Sequence, residues 1–445
     1  MNICVFGLWH LGVVTSACLA KLGHNVVGLD FDKDVVQALR KGQAPVFEPG
    51  LTELIAQQMQ AGRLSFSCDA KEALNQAQVL WLGFDTPVDE HDVADILFLE
   101  KNFKKIMPNI NEGTAIVVSS QAPVGFVNKM EKAFVKQSGH KKCYFACSPE
   151  NLKLGRALDA FLNPDRIIIG VKDEISKEIF APLFLSITDR LEWMKIESAE
   201  MTKHAINSFL ALSVCFANEV ASICEQTGAD AKEVERGLKT ESRIGPKAYL
   251  KPGVAFSGGT LARDINFLMK LSVKHKLPSY LIKAVNDSNA FHKKWIERQC
   301  GQLLGSLKKK TIAILGLTYK PGTDTLRRSL AVELAKSLHG KGARVTGFDP
   351  VIKSMPLSLA KTIELKQSVA DAIRDADAVI MAVEWPEFLQ LGEDIIHLMK
   401  NKIVIDPNGF IAKSVEHKDL NYISVGLPLP LWEGSGEGTY KRMRP

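Results

Sequence analysis

The sequence predicts an α/β chain with two Rossmann-like doubly wound domains joined by a long central helix. Three observations carry that expectation. Strand-length apolar runs alternate with helical stretches over the first 170 residues. A proline-free helical stretch fills the middle of the chain, and the opening strand–turn–helix–strand pattern returns near residue 310. At 445 residues the chain is too long for one ordinary core.

Ile3 to Phe6 is a short apolar run that breaks at Gly7, residues 11–23 carry helical periodicity ending at Gly23, and Val26-Val27-Gly28-Leu29-Asp30 is a second apolar run closed by an acid. This is a βαβ unit, the opening of a doubly wound sheet. Strand-like runs recur at Val79–Gly83, Ala115–Ser119, Tyr144–Ala146 and Ile167–Gly170, and their alternation with helical stretches predicts a parallel sheet. From Ser198 to about Gly237 the pattern stays helical across Gly228, which predicts a spine longer than most globular helices. A glycine-rich loop, Lys251 to Gly259, follows. After Lys308-Lys309-Lys310-Thr311 the run Ile312 to Leu317 repeats the architecture of residues 3–8, and Arg344 to Asp349 repeats that of residues 25–30. The polar, glycine-rich tail 433–445 is expected to be disordered.

Composition excludes several classes. Hydrophobic residues at 46% and charged residues at 24% are those of an ordinary globular protein. The 56 basic residues face 50 acidic ones with no basic block, so no nucleic-acid partner is expected. The eight cysteines show neither metal-ligand pairing nor a dense disulfide pattern, and several lie in apolar runs such as Ser213-Val214-Cys215-Phe216-Ala217. Buried inert thiols and no metal site are the reading. No leader and no apolar stretch of membrane length stands out, so a cytoplasmic protein without a membrane partner is expected.

The turn after the first strand reads Gly7-Leu8-Trp9-His10-Leu11-Gly12. A dinucleotide loop has Gly-x-Gly-x-x-Gly: the first glycine makes the turn, the second lets the pyrophosphate touch backbone, and the third lets helix and strand pack closely. Here the second glycine is Trp9, whose Cβ and indole push a pyrophosphate outward. Trp9 and His10 either pack on the cofactor or fill the loop. Asp30, at the end of the second strand, suits both ribose hydroxyls and repels a 2′-phosphate, which favours NAD over NADP.

Further motifs stand in one order along the chain: Phe47-Glu48-Pro49-Gly50-Leu51, Ala94-Asp95, Ser148-Pro149-Glu150, Phe161-Leu162-Asn163-Pro164-Asp165-Arg166, and Ala199-Glu200-Met201-Thr202-Lys203 with Asn207. Arg243-Ile244-Gly245, Gly258-Gly259 with Asp264, Lys320-Pro321 with Thr323-Asp324 and Arg327, and Glu384-Trp385-Pro386-Glu387-Phe388 complete the set. From Met1 to about Gly426 the chain resembles the UDP-glucose/GDP-mannose 6-dehydrogenase family. The resemblance implies an NAD domain over 1–197, a helical dimerisation region with a substrate loop over 198–307, and a sugar-nucleotide domain over 308–432. It also implies a homodimer, with Arg243 reaching the partner's active site. The implied reaction oxidises the C6 alcohol of a sugar nucleotide to a carboxylate with two NAD, through an aldehyde that a cysteine traps.

Carried over residue by residue, Lys203, Asn207 and Asp264 match the group that handles the sugar oxygen, and Glu150 matches the first of two glutamates. The resemblance implies cofactor contacts from Gly7, Trp9, Leu11, Gly12, Asp30, Thr86 and Gln121. It implies substrate contacts from Arg243, Tyr249, Phe256, Gly258, Lys320 and Arg327. The family's nucleophilic cysteine lies in Gly-Gly-x-Cys-Phe-x-Lys-Asp, where this chain reads Gly258-Gly259-Thr260-Leu261-Ala262-Arg263-Asp264, with Thr260 in the cysteine's place. The second glutamate is Leu154, and the family's Lys-Ser-Thr-x-Pro is Ser119-Ser120-Gln121-Ala122-Pro123. Groups serving alcohol oxidation remain, while those serving aldehyde capture and thioester hydrolysis are replaced. A threonine hydroxyl is a poor trap beside a thiolate.

Each residue also has a plainer reading. A helical lysine is usually a solvated charge, Asp264 can cap a helix beginning near Ile265, and Thr260 can be a structural loop residue. Three functional readings stand: a single oxidation at C6 ending at the aldehyde or its hydrate, the full oxidation to the uronic acid, and a sugar-nucleotide-binding protein without turnover.

Overall fold

The computed structural model describes residues 1–89, 94–139, 141–150, 152, 154–257, 259–391, 396–415 and 420–428; the tail expected to be disordered, 433–445, lies outside them. The chain forms two compact units, Met1–Ile206 and Asn207–Pro445.

The first unit is an eight-stranded sheet in the order β3-β2-β1-β4-β5-β6-β7-β8. Its strands are β1 (Asn2–Phe6), β2 (Asn25–Leu29), β3 (Leu64–Ser67), β4 (Val79–Leu82), β5 (Ala115–Val118), β6 (Tyr144–Cys147), β7 (Ile167–Val171) and β8 (Leu191–Lys195). Alternate residues of β1 enter opposite cores. Ile3 and Val5 pack with Val13, Ala17 and Phe184 on one face, while Cys4 and Phe6 pack with Leu80, Phe103 and Phe145 on the other. A sheet covered on both faces needs such continuous apolar strands. β1 lies between β2 and β4, so the strand order reverses beside it and opens a crevice at the carboxyl ends of β1 and β4.

The expected parallel sheet needs one correction, because β7 runs antiparallel to β6. Among its described residues the connection between them contains only a short helix, Ala157–Leu162, whose six residues rise about 9 Å. A parallel return requires a longer crossover across the sheet face.

The second unit holds a six-stranded parallel sheet ordered β11-β10-β9-β12-β13-β14. The strands are β9 (Thr311–Leu315), β10 (Arg344–Phe348), β11 (Glu364–Leu365), β12 (Ala378–Met381), β13 (Ile403–Ile405) and β14 (Asn421–Ile423). β9 and β10 are the repeat of β1 and β2 read in the sequence, and Ile312 and Ile314 face one core while Ala313 and Leu315 face the other.

The central helix runs Ile196–Thr227, shorter at its end than expected. Gly228 adopts φ +81°, and a second helix, Ala231–Thr240, begins after Asp230, whose side chain accepts the Lys232 N–H at 2.7 Å. A left-handed glycine followed by an aspartate cap ends one helix and starts another. The absence of a membrane-length stretch also needs correction: Ile196–Thr227 is long and apolar enough to cross a membrane by length and composition alone, as the core helix of a soluble protein can be.

Candidate active site

Two of the three fingerprint glycines are dictated by space. Gly7 has φ +98°, and a Cβ there would lie 2.6 Å from the Phe84 ring. A Cβ on Gly12 would lie 1.6 Å from the Gly7 carbonyl oxygen. That closeness between helix His10–Lys21 and β1 is what a dinucleotide turn requires. Gly12→Ala is therefore expected to destabilise the protein by about 2–3 kcal/mol and to abolish NAD binding. Thermal unfolding and calorimetry check this, and an unchanged NAD affinity would move the cofactor away from this turn.

Trp9 is the N-cap of that helix, half exposed and without a side-chain cap hydrogen bond. Asp30 Oδ2 accepts the Leu8 N–H at 2.7 Å and Oδ1 accepts the Asp32 N–H at 3.0 Å. In the second unit Asp349 Oδ2 accepts from Leu317 N–H at 2.7 Å and Thr318 N–H at 3.0 Å. An acid after the second strand thus holds the turn in both units, and a ribose contact by Asp30 would be additional to that work. Leu11 N–H, in the first helical turn, donates to Asp85 Oδ2 at 2.9 Å. Thr86 and Gln121 are both buried, and Thr86 Oγ1 donates to the Gln121 carbonyl at 2.6 Å. A turn in which Gly7 and Gly12 leave no room for a Cβ, opening onto a helix N-terminus in the sheet crevice, fits the cofactor.

Beside it, Glu48 is a buried hub the site prediction did not include. It pairs with His10 Nε2 at 2.9 Å and accepts the Gly155 and Ala157 N–H groups, each at 2.8 Å. It ties the cofactor turn to the segment after Glu150. Lys203 Nζ donates to the Glu150 carbonyl at 2.6 Å and lies 3.2 Å from Glu150 Oε1, so the structure brings these two together. Glu200, one turn earlier, accepts the Gly125 and Val127 N–H groups at 2.6 and 2.9 Å, and burial pushes its carboxyl above the usual range despite those bonds.

In the second unit, Asn207 Nδ2 donates to Asp264 Oδ2, and Asp264 is fully buried. Helix Gly259–Lys274 begins before Asp264, which is therefore an interior residue and no N-cap. Thr260 is exposed one turn earlier on that helix. Its match to the cysteine counts back from Asp264, since the segment between the glycine pair and the aspartate is one residue shorter here than in the family pattern. Gly258 lies outside the described residues.

The loop before it is pinned from far along the chain. Asn218 Oδ1 accepts the Gly253 N–H, Asn408 Oδ1 accepts the Val254 N–H, and Asn289 bonds both the N–H and the carbonyl of Phe256. Phe256 itself packs with Ala211, Cys215, Ile265 and Val285, so its ring is a core group and only its backbone faces the loop. Arg243 and Tyr249 are exposed, and Arg243 Nε donates to Glu241 Oε1 at 2.9 Å. Lys320 and Arg327 follow the turn at Gly316, with the Lys320 carbonyl accepting Thr323 Oγ1 at 2.8 Å and Arg327 exposed. Trp385 is buried and donates to Asp349, which makes its motif a packing element of that turn.

Two doubly wound units, the first with a glycine turn at its switch point and a lysine–glutamate pair near its end, define a dinucleotide-dependent oxidoreductase. Residues 1–188 match the NAD binding domain of the UDP-glucose/GDP-mannose dehydrogenase family, 197–291 its central domain and 313–413 its UDP binding domain. The chain is 34% identical to the UDP-glucose 6-dehydrogenase of Rhizobium meliloti (strain 1021), over 96% of this chain and 100% of that one. It is likewise 34% identical to that of Rickettsia felis, over 96% and 97%. Among solved structures, a UDP-glucose dehydrogenase from Pyrobaculum islandicum superposes with a TM-score of 0.85 at 29% identity, over 96% of this chain and 97% of that one.

The chain belongs to the UDP-glucose/GDP-mannose dehydrogenase family. It is an NAD-dependent nucleotide-sugar dehydrogenase acting on a CH–OH donor.

Proposed function

We propose that the protein oxidises the C6 alcohol of a nucleoside-diphosphate hexose once, in the cytoplasm, and releases the aldehyde or its hydrate. When bound, NAD supplies the hydride acceptor. Lys203, held against Glu150, places an ammonium beside the oxygen that becomes an alkoxide-like centre. Asp264, fixed by Asn207, receives the hydroxyl proton directly or through water. Lys320, Arg327, Tyr249 and the partner's copy of the Arg243 side chain hold the nucleotide and sugar.

The observation that carries this reading is where the cysteines are. The chain has none between Cys224 and Cys300, so helix Gly259–Lys274 carries none. Cys215, which packs against the loop through Phe256, is buried, donates to the Val285 carbonyl at 3.4 Å, and has its thiol pushed up by burial. All eight cysteines are free, which agrees with a reducing compartment. The full oxidation to a uronic acid is the second reading, favoured by relatives named UDP-glucose 6-dehydrogenase over nearly the whole chain. Counting NADH formed per sugar consumed, over a panel of nucleotide sugars, decides between them.

The same reading divides the chain into a cofactor domain 1–197, a helical region 198–307 and a sugar-nucleotide domain 308–432. It also makes the protein a homodimer through the central helix. Phe209, Phe216 and Ile223 stand seven residues apart on that helix and are 66%, 47% and 62% exposed, an apolar stripe of the kind two helices bury together. Light scattering at micromolar concentration is expected to give the mass of a dimer. A monomer would remove Arg243 from the site.

A further inference from the structure

The N–H groups in the first turn of a Rossmann helix are those a dinucleotide pyrophosphate takes. In this chain one of them is already engaged by a carboxylate. Leu11 N–H donates to Asp85 Oδ2 at 2.9 Å, and Asp85 lies just beyond β4, at the carboxyl end of the strand next to β1. The acid therefore enters the crevice from the side on which the cofactor binds. The helix has no cap of its own, since Trp9 at the N-cap position contributes no side-chain hydrogen bond. A negative charge at a helix N-terminus is stabilising, so Asp85 takes the cap's place.

Two further carboxylates border the same turn. Asp30 holds the Leu8 N–H and Glu48 holds His10, whereas residues 7–12 contain no lysine or arginine. A pyrophosphate approaching this helix meets an anion of the protein at the donor it would use. It must displace the Asp85 carboxylate or share the helix end with it, and like charges at that separation repel.

We infer that Asp85 is an internal competitor for the cofactor's pyrophosphate at the N-terminus of helix His10–Lys21 and sets how weakly NAD is held. The free protein keeps its helix capped by Asp85, and binding exchanges one anion for another. This rests on residues 7–12 holding the pyrophosphate.

The test is calorimetric titration of NAD and of ADP-ribose into the full-length protein and its Asp85→Asn variant. The amide oxygen that the substitution introduces still accepts from Leu11 N–H but carries no charge. Both ligands are expected to bind the variant about tenfold more tightly, because ADP-ribose shares the pyrophosphate and lacks only the nicotinamide. Without ligand, the variant is expected to unfold a few degrees lower, having lost a charged cap. Asp85→Ser, which keeps a hydroxyl acceptor, carries the same expectation should the amide disturb folding. Equal affinity in variant and unmodified protein overturns the inference, as does tightening of NAD without ADP-ribose. Weaker binding by the variants overturns it too and makes Asp85 a cofactor ligand. If neither protein binds ADP-ribose while both bind NAD, the assignment of the pyrophosphate to residues 7–12 falls first and the inference falls with it.

Discussion

Lys203→Ala is expected to lower kcat for NADH formation about a hundred- to a thousandfold while leaving NAD affinity unchanged. The Lys203 ammonium is fixed by two oxygens of Glu150, and its side chain is 11% exposed. A charge held in place before reaction stabilises a developing alkoxide without reorganising at the moment of transfer, and removing one such donor costs this much in other enzymes. The fold should tolerate the loss. Glu150 is partly exposed and keeps the Leu152 N–H at 2.9 Å on its other oxygen, so no unpaired charge is left in a core. Lys203→Arg is expected to restore little, since a planar guanidinium fork does not place its charge where a compact ammonium does. Steady-state kinetics beside calorimetry separate the two effects. A variant that keeps kcat within about threefold would take Lys203 out of the reaction.

Lys203 was singled out in the sequence by the motif around it, and Gly7 and Gly12 were legible because packing leaves them no side chain. Strands β1, β2, β4, β5, β9 and β10 were legible for a similar reason, since strands buried on both faces must be apolar throughout. The shortest strands and the helix boundaries lack such a signature. β11, β13 and β14 span two or three residues, too few for any periodicity. A lone glycine is tolerated inside helices, so Gly228 alone could not announce the break that its positive φ and the Asp230 cap produce together. A cap was the plainer alternative for Asp264 because the apolar pattern resumes at Ile265, whereas the helix already begins at Gly259. Asn218, Asn289 and Asn408 fix the glycine-rich loop at Gly253, Phe256 and Val254 from 35, 33 and 154 residues away, and nothing local marks an asparagine for that task. Asp85 stands near other acids in a loop, where an aspartate ordinarily reads as a solvated charge.

The unmodified protein is expected to form about one NADH per sugar consumed, with the aldehyde or its hydrate as the product. A second hydride transfer by the covalent route needs a thiolate at the aldehyde carbon, then a water held for the thioester. Thr260, exposed on the turn of helix before Asp264, offers only an alcohol. Leu154 stands where the family pattern has its second glutamate. Gln121 stands where that pattern has its threonine, and it is buried with its carbonyl accepting from Thr86. Cys215 does not substitute, since it is buried, burial pushes its thiol above the usual range, and its Sγ donates to the Val285 carbonyl. Thr260→Ala should therefore cost little next to Lys203→Ala. Thr260→Cys alone should capture the aldehyde and, after a second hydride transfer to NAD, hold it as a thioester detectable as a mass adduct on the intact protein, yet release little acid, because Leu154 and Gln121 still leave that thioester without a positioned water. Mass spectrometry of the sugar product alongside NADH absorbance makes the count. Two NADH per sugar from the unmodified protein, with uronic acid as product, would show that another group performs the capture and that the four-electron reading holds.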